Sequence, residues 1–106
     1  MQILDYNLVL TCPCCPEQYD VLDAEGKQSG YIRLRGGNFR VYYPDTGGEL
    51  VFYHRFEEDA WKGMFYNDEE REFFLTEAVK ALQNHIQSEK ELAEGHRADL
   101  NAFKGT

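Results

Sequence analysis

The stretch Gly30-Tyr-Ile-Arg-Leu-Arg-Gly-Gly-Asn-Phe-Arg-Val-Tyr-Tyr43 decides how the rest of the chain is read. Two runs rich in β-branched, aromatic and long apolar residues flank Gly36-Gly37, a dipeptide that favours a two-residue hairpin turn. With the turn there, Arg35 faces Asn38, Leu34 faces Phe39, Arg33 faces Arg40, Ile32 faces Val41 and Tyr31 faces Tyr42. Side chains alternate across a strand, so Ile32, Leu34, Phe39 and Val41 fall on one face. Tyr31, Arg33, Arg40 and Tyr42 fall on the other. A slip by one residue would mix the two sets, so the pattern fixes the register.

The apolar face is a core face. The other face is unusual. Arg33 stands opposite Arg40, and opposed like charges destabilise a pair by up to about 1 kcal/mol. Residues 27–43 hold Lys27, Arg33, Arg35 and Arg40 and no acid, within a chain of net charge −8. A basic strip flanked by tyrosines calls for an anionic counterpart. Either the protein's own carboxylates supply it, or a phosphate, a nucleotide or an acidic protein surface does.

A chain of 106 residues suits one domain with one core. Seven Tyr, seven Phe and one Trp argue against disorder, which is aromatic-poor. No apolar run reaches the ~20 residues that span a bilayer. The N-terminal residues lack the pattern of a signal peptide. Three cysteines do not make a closed disulfide framework. The expected setting is therefore the reducing cytoplasm, with no membrane contact. The acidic balance disfavours nonspecific nucleic-acid binding and suits either plain solubility or a basic protein partner.

Ahead of the hairpin, residues 3–10 read as a strand with Leu4, Tyr6, Leu8 and Leu10 inward. Thr11-Cys-Pro-Cys-Cys-Pro16 follows, and its prolines exclude regular structure. Cys12, Cys14 and Cys15 are candidate zinc ligands, with His54, His85 or His96 as the fourth. Incidental thiols are the simpler reading, and the Cys-x-x-Cys redox reading lacks a following helix. Residues 18–23 read as a strand, and Asp23 to Lys27 as a turn. After the turn at Pro44 to Gly48, residues 49–56 form another strand, with Leu50, Phe52, His54 and Phe56 inward. Short connections favour sequential antiparallel pairing.

Residues 57–72 are acidic, with Glu57, Glu58 and Asp59 forming one cluster and Asp68 to Glu72 the other, and Trp61, Met64, Phe65 and Tyr66 lying between. The ordered calcium-loop pattern is missing. Asn67 precedes Glu70 by three residues, the spacing of a capping box. Phe74, Leu75, Ala78, Val79, Leu82 and Ile86 then recur at helical spacing. The expected helix runs from about 68 to 94 and ends near Gly95. The expected architecture is α+β: a four- or five-stranded antiparallel β-meander packed against one long C-terminal amphipathic helix. Residues 1–95 form the single domain, and residues 96–106 a mobile tail.

The segments Gln18-Tyr-Asp-Val-Leu-Asp, Gly30-Tyr-Ile-Arg-Leu-Arg, Phe39-Arg-Val, Pro44-Asp-Thr-Gly-Gly-Glu49 and Glu70-Arg-Glu-Phe-Phe-Leu75 resemble small uncharacterised proteins of phages, prophages and Firmicutes. The resemblance spans roughly residues 18–82. It implies host-defence antagonists or accessory factors as function classes and carries over no residue roles. No nucleophile elbow, phosphate loop or His-Glu-x-x-His is present, so the expectation is a noncatalytic protein without a cofactor. The leading expectation is an inhibitor of a host defence effector, similar to an anti-CRISPR protein, binding a host or phage protein through Glu57, Glu58 and Asp59. A nucleotide sponge using Tyr31, Arg33, Arg35, Arg40 and Tyr42, with a homodimer formed through the helix, is the alternative. A small zinc-binding accessory protein is a third.

Overall fold

A computed structural model describes the backbone of residues 1–12 and 16–104, and the side chains of residues 1–11 and 16–93. Six strands form one sheet in sequence order: β1 (Gln2–Ile3), β2 (Tyr6–Cys12), β3 (Glu17–Leu22), β4 (Gln28–Arg35), β5 (Asn38–Tyr43) and β6 (Glu49–Arg55). Every neighbouring pair is antiparallel. Helix α1 (Asp68–Lys104) covers one face. The α+β meander is as expected, but it has six strands rather than four or five.

The central register is the one read from the sequence, from Tyr31 opposite Tyr42 to Arg35 opposite Asn38. Gly36 and Gly37 have φ of 57° and 77°, as a type I′ turn requires. Ile32, Leu34, Phe39 and Val41 are buried, together with Leu8, Tyr19 and Val21 from the strands before them.

The sixth strand arises near the N-terminus. Residues 3–10 are not one strand: Ile3 pairs with Tyr6 across a tight turn at Leu4 and Asp5. Ile3 is buried, while Leu4 and Leu10, expected inward, are about half exposed. Leu4 holds φ of 53°, a left-handed conformation that costs an L-residue about 1–2 kcal/mol. Asparagine tolerates it better, so Leu4→Asn is expected to raise stability by about 1 kcal/mol in urea unfolding. No gain would show that the turn is not strained.

Leu50 was also expected inward. Val41 pairs with Phe52 and Tyr42 with Leu50, so Val51 is an extra, bulged residue. Past the bulge the alternation shifts by one. Val51 and Phe52 both pack on the core, and Leu50 is left exposed.

Asn67 Oδ1 accepts a hydrogen bond from the Glu70 N–H at 2.8 Å, and Glu70 Oε1 accepts one from the Tyr66 N–H at 3.1 Å. This is the anticipated capping box with its return bond placed one residue earlier. Leu75, Ala78, Val79 and Leu82 are fully buried against the sheet. The helix comes so close at Gly30 that a Cβ there would lie 2.5 Å from Leu82 Cδ1. The helix does not end near Gly95 but continues to Lys104. A mid-helix glycine costs only about 1 kcal/mol, and the Glu, Lys, Leu and Ala residues around it are good helix formers. At 1.5 Å per residue α1 is about 55 Å long, matching the 59 Å long axis of the molecule. Among the described residues no helix is long and apolar enough to cross a membrane.

Candidate functional site

The chain between β6 and α1 is tied down at several points. The Phe56 N–H donates to the Gly37 carbonyl at 2.7 Å, and the Gly37 N–H donates to that of Lys62 at 2.9 Å. The Glu17 N–H donates to the Gly63 carbonyl at 2.7 Å. The loop is thereby seated against the tip of the central hairpin and the start of β3. Phe65 enters the core and stacks on Phe74 at 5.7 Å.

Beneath the loop lie two buried ionic groups. Lys62 is buried, with its ammonium 2.9 Å from Glu70 Oε1 and 3.2 Å from the centre of the Tyr66 ring. Glu17 is buried and accepts hydrogen bonds from Arg71 Nε at 2.8 Å, the Phe65 N–H at 3.2 Å and the Tyr19 hydroxyl. Burial works to raise the Glu17 pKa. The bonds from Arg71, Tyr19 and Phe65, with the Arg71 charge, outweigh it and hold the carboxyl below its usual range. Burial and the Glu17 carboxylate push the Tyr19 hydroxyl well up.

The loop turns a different set of residues outward. Trp61 is 91% exposed and Tyr66 is 68% exposed. Glu57 and Glu58 are exposed, and among the described residues neither forms an ion pair. Asp59 is engaged within the loop: it accepts from the Trp61 N–H at 3.1 Å and from the Tyr66 hydroxyl. These residues edge an open cleft of about 560 Å³ lined by His54, Phe56, Glu57, Glu58, Lys62 and Tyr66 among others. His54 itself packs edge-on to Phe56 at 4.7 Å.

The opposite face of the sheet carries the arginines. Arg33, Arg40 and Tyr53 stand in one row, and Arg35, Asn38 and Arg55 in the next. The Arg40 guanidinium lies 5.4 Å from the Tyr53 ring centre. Asn38 Oδ1 accepts from both Arg55 at 3.0 Å and the Tyr53 hydroxyl at 2.6 Å. Among the described residues the lysine and arginine ion pairs use Lys62, Arg71 and Lys80, and none uses Arg33, Arg35, Arg40 or Arg55. The acidic loop therefore does not neutralise the arginine strip. Tyr31, expected as an open ring on this face, is instead buried, with its hydroxyl donated to Gln18 Oε1 and its ring 6.3 Å from that of Tyr42.

Comparison with protein-family models, curated proteins and solved structures finds no match.

The loop of the acidic cluster meets the arginine-bearing hairpin only at the hairpin tip. Arg35 and Arg55 stand beside the hairpin tip on which Asp59 and Ala60 rest. Cys14, Cys15 and the side chains of Cys12 and His96 lie outside the described residues. Neither the outward placement of Trp61 nor the burial of Glu17 was singled out in the sequence. Extending the alternation of Tyr19 and Val21 back by one step would have turned Glu17 inward. No sequence signal tells an outward tryptophan from one that caps the core.

Proposed function

We propose that this chain is a noncatalytic binding protein of the phage type that docks on a basic protein surface through the loop of residues 57–66. By filling that surface it inhibits a host defence effector. The observation that carries the reading is Trp61, 91% exposed on a loop fixed at both ends by backbone hydrogen bonds. Tryptophan is the residue most enriched at the energetic centres of protein interfaces. A loop that is already ordered loses little entropy on binding. Glu57 and Glu58 beside it supply rim charge that steers a basic partner. The phage resemblance and the net charge of −8 support the inhibitor role.

Affinity capture from a bacterial host lysate, followed by titration of the captured effector, tests this reading. Trp61→Ala is expected to weaken binding about 30-fold, the equivalent of some 2 kcal/mol. Glu57→Lys with Glu58→Lys should slow association and flatten its salt dependence. Arg33→Ala with Arg40→Ala should change neither. Full affinity after both loop substitutions would remove the reading.

One observation favours a second reading. Arg33, Arg35 and Arg40 have no carboxylate partner among the described residues. A nucleotide phosphate would supply one, with Tyr42 and Tyr53 beside it. Calorimetric heat from a nucleotide panel, lost in the same Arg33/Arg40 variant, would put this reading first.

A further inference from the structure

We propose that Glu49, His85 and Glu89 form a binding site for a first-row divalent transition cation, Zn²⁺ foremost, that fastens the start of β6 to α1. His85 and Glu89 are four residues apart and so share one face of the helix. Glu49 reaches them from the first position of β6. His85 Nε2 lies 3.2 Å from Glu49 Oε2 and 3.2 Å from Glu89 Oε1. One ligand atom from each residue falls within 4.8 Å of the others. Ligands bound at about 2.0–2.1 Å stand roughly 2.8–3.0 Å apart around an octahedral ion and roughly 3.3–3.4 Å apart around a tetrahedral one. The imidazole is therefore already at ligand spacing from both carboxylates.

A separate observation points the same way. His85 Nε2 is buried, yet it makes no hydrogen bond, although two carboxylate oxygens are near. Neither oxygen is placed to accept a proton along the ring's N–H direction. A neutral imidazole here directs a lone pair into a space flanked by two further electron-pair donors. An unpartnered buried polar atom is costly and calls for an unseen partner. A cation in front of Nε2, between the carboxylates, satisfies all three groups together. The Tyr43 ring packs against the imidazole at 5.0 Å and holds its orientation.

The donor set selects the ion. An imidazole nitrogen with two carboxylates suits zinc or its first-row neighbours, whereas magnesium and calcium take all-oxygen sets. Three protein ligands leave at least one position for water. Its three ligands include no cysteine, and it involves neither the 57–66 loop nor the arginine face.

Titration of the full chain with Co²⁺ alone, followed by visible absorption, tests the site. The expected result is one equivalent bound, with ligand-field bands and no thiolate charge-transfer band, and displacement by Zn²⁺. Glu49→Gln, His85→Asn and Glu89→Gln should each weaken binding at least about 10-fold, since even outer-shell changes cost 10- to 100-fold. Cys12→Ser/Cys14→Ser/Cys15→Ser should bind as the parent does. A second readout is the ¹⁵N resonance of the ring nitrogens, where Zn²⁺ should shift His85 and leave His54 in place. No binding at millimolar Co²⁺ would overturn the proposal, as would binding lost in the cysteine variant but kept in the Glu49 and Glu89 variants. Unmoved His85 resonances with bound Zn²⁺ would overturn it too.

Discussion

Glu17→Ala is expected to destabilise the fold by about 3–5 kcal/mol, the usual result of removing one partner of a buried ion pair. The side chain of Glu17 is 6% exposed and that of Arg71 is 21% exposed. Removing the carboxylate strands the Tyr19 hydroxyl and the Phe65 N–H at once and leaves Arg71 only its pairing with the exposed Asp68 carboxylate. Water reaches Arg71 in part, which places the effect towards the lower end of that range. Urea unfolding of the parent and the variant measures it. A loss under about 1 kcal/mol would show that Arg71 simply turns out to solvent.

The same pair predicts a pH dependence. The folded-state pKa of Glu17 lies below the ordinary value of 4.5, so the folded state binds this proton less readily than the unfolded state does. Its contribution is therefore complete above the unfolded-state pKa and is lost as pH falls through the folded-state value. The stability gap between the parent and Glu17→Gln should be widest near neutrality and should shrink progressively below about pH 4.5. A gap that holds constant down to pH 3 would mean that folding leaves the Glu17 pKa where it stands in the unfolded chain.

Gly37→Ala is expected to be the second most damaging change, at roughly 2–4 kcal/mol. Two effects combine. Gly37 has φ of 77°, and an L-residue there is strained by about 1–2 kcal/mol. An added Cβ would also lie 2.7 Å from the Asp59 carbonyl oxygen and 3.0 Å from Ala60 Cα. Both are backbone atoms, so no side-chain rotation relieves the clash, and overpacking of this kind costs about 1–3 kcal/mol. Gly26→Ala separates the two effects, because Gly26 has φ of 83° and nothing within 4 Å of a Cβ. The difference between the variants is the clash alone. If the loop docks on a partner as proposed, Gly37→Ala should also weaken that binding by moving the residues on either side of Trp61. Equal losses of stability in the two variants would show that the loop does not rest on the turn.

How much was legible in the sequence depended on whether local pattern or tertiary contact decided each element. The central hairpin was readable because alternation and Gly36-Gly37 agree on one register. The turn at Leu4 and Asp5 was not, since leucine carries no signal for positive φ. Leu50 was misplaced because one bulged residue, Val51, reverses the alternation without any mark in composition. The helix was legible in its packed half, where Leu75 to Leu82 recur on one face. Its far end escaped because Gly95 reads as a stop, although the good helix formers around it outweigh the cost of one glycine. In the candidate site the acidic cluster was visible as charge. Which acids are free was not, because that depends on Lys62 taking Glu70 and Tyr66 taking Asp59 after the chain has folded.

The sequential strand order has a kinetic consequence. Each strand pairs only with its neighbour in the chain, so the sheet forms through short loop closures and low contact order, conditions that favour fast folding. Contacts such as Glu17 with Phe65 and Arg71 close separations of 48 and 54 residues, and their larger loop-closure entropy is expected to make them form after the hairpins. Interactions absent from the transition state govern unfolding rather than folding. The Glu17–Arg71 pair is therefore expected to act as a latch: its loss should shorten the life of the native state and leave the time taken to reach it nearly unchanged.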